Sequence, residues 1–223
     1  MSPQWWRVAI PPLIGLLSFL GGLKLTQWLV TPRHMVAEAD GGGYRLIYYL
    51  LHDVGWAHQV VEAEPTGPVA WWTFAYASRS KHPDFPTEPD VWWYLTPSVY
   101  RGTGSWQLPM TTELVPMAVL PIVPIGVLVL SGAMAALLTV RSNRLRDGGL
   151  AGASIAVGYL LATLVGLFLP FVSFASRPNV WVVMFPDPVV SLVRMGIAYP
   201  LTFGTVGGIT AIGLRRVIRT RRG

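Results

Sequence analysis

Two basic residues, Lys24 and Arg194, lie where charge is unusual in this chain. Each falls inside a long apolar stretch, a short way from one of its ends. Holding a charge within a bilayer costs about 3 kcal/mol or more, so an intramembrane cation is often paired with an anion. Glu113 stands at the start of another apolar stretch. Lys24, Arg194 and Glu113 therefore form a candidate anion or ligand site. The alternative is that the two long basic side chains simply reach the membrane surface.

Metal chemistry has one candidate pair, His58 and Glu62. These residues are four apart in a segment with helical spacing, which would place both side chains on one helix face. The same spacing is common for a solvated or hydrogen-bonded pair, and two ligands are fewer than a metal ion usually takes. The chain has no cysteine, which removes thiolate ligands, thiol nucleophiles and disulfides. We therefore expect no metal centre.

The sequence contains no recognisable set of catalytic residues. The four long apolar stretches contain no Asp, Glu or His, whereas proton-coupled carriers and intramembrane proteases commonly use such groups at bilayer depth. No phosphate loop, nucleophile elbow or haem-attachment motif occurs either. We expect no catalytic residue, no cofactor and no enzymatic activity. A membrane enzyme using carboxylates and histidines outside the apolar stretches ranks last among the hypotheses.

Tryptophan is concentrated between the first two apolar stretches. Interfacial tryptophans commonly anchor a protein among lipid head groups, and clustered ones can also form a small core or contact a partner or glycan. The segment is rich in proline and has no disulfide to stabilise it, which favours a small aromatic core. All three roles stay open, and the partner-binding candidates are Trp71, Trp72, Trp92, Trp93 and Trp106.

The elements that must position these residues are four apolar runs, at about 8–30, 114–140, 150–174 and 189–214. With 52% hydrophobic and 13% charged residues, the chain is too apolar for an ordinary soluble domain. A hydrocarbon core of ~30 Å needs about 20 helical residues, and each run is long enough. The sequence therefore predicts an all-α membrane protein with four transmembrane helices and a large extracellular region between helices 1 and 2.

Charge predicts the orientation of these helices. Arginines gather at the N-terminus, at 141–146 and at the C-terminus, against the single acid Asp147, whereas the interval 31–113 holds nine acids and five basic residues. This asymmetry is typical of a multi-pass protein of the cell membrane with both termini cytoplasmic. The net charge of +6 follows from that distribution. We therefore expect the lipid bilayer, and no nucleic acid, as a partner.

The predicted division of the chain follows from spans and charge together. It comprises the N-terminus and helix 1 (1–30), an extracellular aromatic-rich cap (31–113), helix 2 (114–140), a cytoplasmic loop (141–149), helix 3 (150–174), an extracellular loop (175–188), helix 4 (189–214) and a basic cytoplasmic tail (215–223).

Finer patterns predict local structure within these segments. Apolar residues recur with helical spacing over 44–64, which indicates one amphipathic helix, and aromatic and β-branched residues at 69–78 and 91–100 favour short strands or extended arms. Small residues recur along the last three helices and favour close contact between them. The predicted small-residue ridges are Gly132 and Ala136, then Gly158, Ala162 and Gly166, then Gly204 and Gly208.

Two short motifs carry a resemblance to a known group of proteins. They are Val-Gly-Trp-Ala-His at 54–58 and Glu-Ala-Asp-Gly-Gly at 38–42. With the order of spans, these motifs resemble uncharacterised four-helix membrane proteins of halophilic archaea. The resemblance implies a layout but no known activity, and it supplies no functional residues.

Two hypotheses for function follow from the sequence. The first is a non-enzymatic accessory or self-assembling membrane component, which binds a partner through its outer cap or associates through its helix ridges. The alternative is a small solute or anion transporter or channel subunit, in which Lys24 and Arg194 set the preference for anions and proline kinks in helix 2 open a pathway.

Overall fold

Helices make up most of the described structure, as predicted. The computed structural model describes residues 5–29, 31–32, 42–52, 54, 56–61, 110–111, 119–169, 172–177 and 180–221. Four helical segments in these ranges are long and apolar enough to cross a membrane, which confirms the predicted number: Trp6–Leu29, Ile122–Thr139, Leu145–Phe168 and Pro188–Thr220.

The helices and strands have these bounds in chain order. The helices are α1 (Trp5–Leu29), α2 (Gly42–Leu50), α3 (Ile122–Thr139), α4 (Leu145–Ala153), α5 (Ile155–Phe168), α6 (Pro188–Val190), a π-helical segment (Ser191–Ala198) and α7 (Tyr199–Thr220). The strands are β1 (Thr31–Pro32), β2 (Trp56–Val61), β3 (Met110–Thr111), β4 (Val172–Arg177) and β5 (Val180–Pro186).

Local chemistry explains several of these boundaries. Asp187 caps the start of α6, where its carboxylate accepts the Val190 N–H at 2.9 Å. Asp147 lies in the first turn of α4, where a negative charge suits the helix dipole. Pro200, in the first turn of α7, cannot donate the hydrogen bond that an α-helix directs to the residue 196 carbonyl. An eight-residue π-helical segment, Ser191–Ala198, immediately precedes α7.

The chain forms two compact units. The first contains the described residues of Met1–Leu25, Pro121–Leu164 and Leu192–Gly223, and the second contains those of Thr26–Leu120 and Val165–Ser191. The core of the first unit joins its helices through buried apolar side chains. Phe19 of α1, for example, packs edge-on against Tyr159 of α5, with ring centroids 5.6 Å apart.

The second unit is built on a three-stranded antiparallel sheet in the order β2-β5-β4. Trp56 pairs with Pro186 and Val61 with Trp181, while Val172 of β4 pairs with Met184. Helix α2 contacts β4 and β5, and its apolar residues are buried. A separate pair of two-residue strands, β1 and β3, also runs antiparallel.

The sheet corrects one prediction. The amphipathic helix expected over 44–64 occupies only Gly42–Leu50, and Trp56–Val61 is a strand. The backbone of Trp56–Val61 pairs with β5, far along the chain, so this segment makes its hydrogen bonds in a sheet rather than in a helix. The strands predicted at 69–78 and 91–100 lie outside the described residues.

Candidate functional site: a glycine contact and a basic surface

Helices α3, α4 and α7 meet through glycines, at what we call the glycine contact: Gly132, Gly148, Gly152, Gly204 and Gly208. A methyl group added at Gly132 would overlap the carbonyl oxygen of Gly204. One added at Gly152 would lie 2.8 Å from the Gly204 carbonyl carbon and 3.2 Å from the Gly208 Cα. Neighbouring backbones therefore touch directly, with no space between them for a side chain.

Further glycines bring other helix pairs equally close. A methyl group at Gly15 of α1 would overlap the Ile155 carbonyl, and one at Gly158 of α5 would overlap the Pro12 carbonyl. Gly207 of α7 stands in the same relation to Val129 of α3. The helices of the first unit thus pack at backbone distance in several places.

These contacts can be compared with the predicted ridges. Close contact at Gly132, Gly204 and Gly208 is confirmed, whereas Gly158 packs against α1 rather than against α3 or α7. The sequence reasoning missed Gly148 because the arginines around residue 145 indicated a loop, and Gly152, inside the predicted helix 3, was therefore not paired with it. Their spacing of four residues was the signal that could have revealed them.

A pair of buried serines connects α1 with α3. The hydroxyl oxygens of Ser18 and Ser131 are 2.5 Å apart, and both residues are buried. Each hydroxyl also lies within hydrogen-bond distance of a carbonyl oxygen four residues earlier in its own helix, that of Ile14 at 2.5 Å from Ser18 and that of Val127 at 2.7 Å from Ser131. The pair satisfies polar groups in apolar surroundings and is a point of specific contact between two helices.

At the ends of α3 and α7, Arg215 joins two separate parts of the chain. Its guanidinium donates to the carbonyl oxygen of Val140 at 2.8 Å and to that of Ser142. Nearby, Arg219 donates to the Asn143 side chain at 3.2 Å. The segment that follows α3 is therefore held against the last turns of α7, and Arg215 satisfies carbonyls that the end of α3 leaves open.

The arginines around this junction form what we call the basic surface. Asp147 is the one acid among the described residues of 140–147 and 215–221, and its carboxylate accepts a hydrogen bond from the Ser142 hydroxyl. Arg215 is directed inward, and the remaining arginines are exposed: Arg141, Arg144, Arg146, Arg216, Arg219 and Arg221.

The structure places Lys24 on α1 and Arg194 on the π-helical segment, each with an exposed side chain. Their sharing of an anion stays a prediction, since Glu113, the third member of that site, lies outside the described residues. The partner-binding candidates Trp71, Trp72, Trp92, Trp93 and Trp106 also lie outside them.

The helical geometry assumed for the metal candidates is wrong. His58 belongs to strand β2, where residues four apart are about 13 Å apart along the chain rather than one helical turn apart. Glu62 lies outside the described residues. Among the residues that are described, no group of three His, Asp or Glu side chains could hold a metal ion.

A polar cluster at the end of α2, in the second unit, was not predicted. His52 is fully buried, its Nδ1 donates to the Tyr48 carbonyl oxygen at 2.8 Å, and its ring packs edge-on against Tyr48. Burial lowers the pKa of His52 to about 4, although the hydrogen bond to Tyr48 opposes the shift. Burial likewise raises the pKa of Tyr49, against the nearby charge of Arg45. His52 is therefore neutral at pH 7.

Comparison with known proteins gives one match. Residues 94–215, more than half of the chain, match a family described as "Family of unknown function (DUF7978)". The matched region includes α3 to α5 and most of α7, with the whole glycine contact. No curated protein and no solved structure matches the chain.

Proposed function

The chain belongs to DUF7978, a family of unknown function, and we propose that it is a four-span membrane protein acting as a non-enzymatic accessory or self-assembling component. Four helices have the required length and composition. Many of their large apolar side chains are exposed, including Leu130 at 72%, Leu161 at 55% and Leu214 at 61%. Side chains of this kind are favourable against lipid and unfavourable against water.

Two contacts support the proposed topology, in which both termini lie on the cytoplasmic side. Strand β2 belongs to the first predicted outer segment and β5 to the second, and the two strands pair. Paired strands must lie on one side of a bilayer. Arg215 of the C-terminal tail likewise bonds to Val140 and Ser142, at the predicted cytoplasmic loop. Each contact joins segments that the charge pattern assigns to the same side.

The observation that carries the proposed role is the glycine contact. A transport pathway needs a hydrated gap between helices, lined by polar groups. At Gly132, Gly152 and Gly204 the helix backbones touch so closely that a single methyl group does not fit. Such packing favours a rigid scaffold that supports an outer region. In the proposal, that outer region binds a partner protein or a second copy through its tryptophans.

Topology is tested by cysteine labelling, because the chain has no cysteine of its own. In intact cells, an impermeant maleimide should label Ser80→Cys and should label Thr220→Cys only after the membrane is opened. Labelling of both positions in intact cells would refute the four-span topology.

Partner binding is tested by photo-crosslinking in native membranes. A photoreactive phenylalanine at Trp71 or Trp92 should give a defined adduct with one protein or with a second copy. The same residue at lipid-facing Leu161 is the matched control and should crosslink mainly to lipid. If adducts at Trp71 and Trp92 are no more abundant than at Leu161, the accessory role is wrong.

One observation favours anion transport as a second candidate. Arg194 lies in an eight-residue π-helical segment with its side chain exposed, and π-helical turns are frequent at functional sites. Anion flux into proteoliposomes that is lost in both Lys24→Ala and Arg194→Ala would establish this function. Flux equal to that of empty liposomes would exclude it.

A further inference from the structure

In the described residues of the basic surface, positive charge exceeds negative charge. Asp147, the one acid in its described residues, accepts a hydrogen bond from Ser142. Arg215 donates to two carbonyl groups and is only partly exposed. Six exposed arginines remain on two chain segments that Arg215 holds together.

These arginines stand at the ends of membrane-length helices. Helix α3 ends at Thr139 and α4 begins at Leu145, so Arg141 and Arg144 lie between two spans. Arg216, Arg219 and Arg221 follow the apolar part of α7. In a protein that spans the bilayer, such positions fall at the level of the lipid head groups.

Exposed apolar side chains are interleaved with the arginines. Leu214, Val217 and Ile218 are 61%, 50% and 43% exposed on the same turns of α7, and Leu145 is 41% exposed beside Arg144 and Arg146. A surface for nucleic acid or for a soluble acidic protein would not need such residues. A lipid offers a phosphate for guanidinium groups and acyl chains for apolar groups.

We propose that the basic surface binds anionic phospholipids of the adjoining leaflet. The exposed guanidinium groups of α7 and of the α3–α4 segment bond to lipid phosphate oxygens. Arginine suits this task because its planar fork can donate two parallel hydrogen bonds to one phosphate. Leu214, Val217 and Ile218 contact the upper part of the acyl chains. Arg215 acts as a positioning residue, since it holds the two arginine-bearing segments side by side.

The test is lipid binding to the full-length protein in detergent, measured by native mass spectrometry. Phosphatidylglycerol should bind at least tenfold more tightly than phosphatidylcholine. Each basic residue near a membrane surface adds about 1 kcal/mol, or a factor of about five, to anionic-lipid binding. The triple variant Arg216→Gln, Arg219→Gln and Arg221→Gln should therefore weaken phosphatidylglycerol binding by about 100-fold. The corresponding triple Lys variant should stay within about fivefold of the parent protein.

Matched controls separate this proposal from general effects of charge and folding. Replacing Arg33, Arg79 and Arg101 with Gln removes equal charge elsewhere and should leave phosphatidylglycerol binding unchanged. A second set of Gln substitutions, at Arg141, Arg144 and Arg146, should reproduce the loss seen in the α7 set.

Three results would overturn the proposal. One is phosphatidylglycerol binding to the α7 Gln variant within threefold of the parent protein. Another is an equal loss in the control variant. The third is displacement of the lipid by inorganic phosphate alone, which would assign the surface to soluble anions. None of these results depends on whether the outer region binds a partner.

Discussion

The substitution Gly152→Ala tests the glycine contact most directly. The added methyl group would overlap the Gly204 carbonyl oxygen, and it would lie 2.8 Å from the carbonyl carbon and 3.2 Å from the Gly208 Cα. Carbon atoms normally pack about 3.5–4.0 Å apart. Because the opposing atoms are backbone, no side-chain rotation can relieve the overlap. Helices α4 and α7 must therefore separate, and both lose contacts along their length.

The expected magnitude follows from two opposing effects. Overpacking of a well-packed site typically costs about 1–3 kcal/mol, and a backbone overlap belongs at the upper end of that range. Replacing glycine by alanine in a helix returns up to about 1 kcal/mol through higher helix propensity. The net loss of stability for Gly152→Ala is therefore about 2 kcal/mol. In a chain of this size, that loss corresponds to an unfolding temperature lower by roughly 4–8 °C.

Gly126 provides a matched control in the neighbouring helix α3. A methyl group there meets no atom within 4 Å, so Gly126→Ala keeps the propensity gain without the overlap. We expect it to unfold at or slightly above the temperature of the parent protein. Circular dichroism at 222 nm during heating in a mild detergent measures all three proteins. If Gly152→Ala unfolds no earlier than Gly126→Ala, α4 and α7 are not packed at backbone distance and the argument against a pathway fails.

Three further substitutions have defined outcomes. Because the pKa of His52 lies near 4 in the folded protein, its contribution to stability is full above about pH 6.5 and is lost as pH falls to 4, by up to about 3 kcal/mol. Unfolding titrations at several pH values should show a slope that His52→Gln reduces, and an unchanged slope would refute this role. Ser18→Ala leaves Ser131 bonded to Val127 and should cost only about 0.6 kcal/mol in the same detergent assay; a loss above about 2 kcal/mol would contradict that arrangement. Arg215→Gln removes charged donors from two carbonyl groups and should cost about 1.5–3 kcal/mol, whereas unchanged stability would show that the junction is not formed.

Sequence reasoning succeeded where one physical requirement left a single solution. A stretch of about 20 apolar residues must satisfy its backbone hydrogen bonds internally if it crosses a bilayer, and a helix does so with neighbours only a few residues away. The number of spans and the predominance of helix could therefore be predicted. Small residues spaced by four, Gly132 and Ala136 in α3 and Gly204 and Gly208 in α7, were recognised for the same reason, because their contact depends on local periodicity.

The start of α4 shows where that reasoning failed. Gly148 lies close to Arg144, Arg146 and Asp147, whose charges indicated a loop on the membrane surface. The helix nevertheless begins at Leu145, where Asp147 suits the first turn. This helix begins among charged residues, before its apolar part, so hydropathy alone places its start incorrectly. Gly148 was missed for that reason. Without it, Gly152 in the predicted helix 3 was not recognised as part of a ridge, although both glycines complete the contact with α7.

Strand β2 was mispredicted for a different reason, namely the distance between its residues and their partner. The stretch Trp56–Val61 can be read with either helical or alternating periodicity, and local pattern does not decide between them. Two membrane-length helices, Ile122–Thr139 and Leu145–Phe168, separate it along the chain from its hydrogen-bond partner, Val180–Pro186. Such a pairing can form only if both segments emerge on the same side of the bilayer, so the charge pattern that predicted their common side was also a constraint on this sheet. Successive N–H groups of an edge strand point alternately toward and away from its partner. Disrupting β2 with the adjacent pair His58→Pro and Gln59→Pro, which must remove one N–H that faces β5, should therefore destabilise the second unit while leaving the helices of the first folded. Because proline removes a backbone donor from a paired strand, limited proteolysis should cut the variant faster at 56–61 and 180–186, with near-parent helicity at 222 nm. Equal cleavage rates in the variant and the parent protein would show that β2 and β5 are not paired.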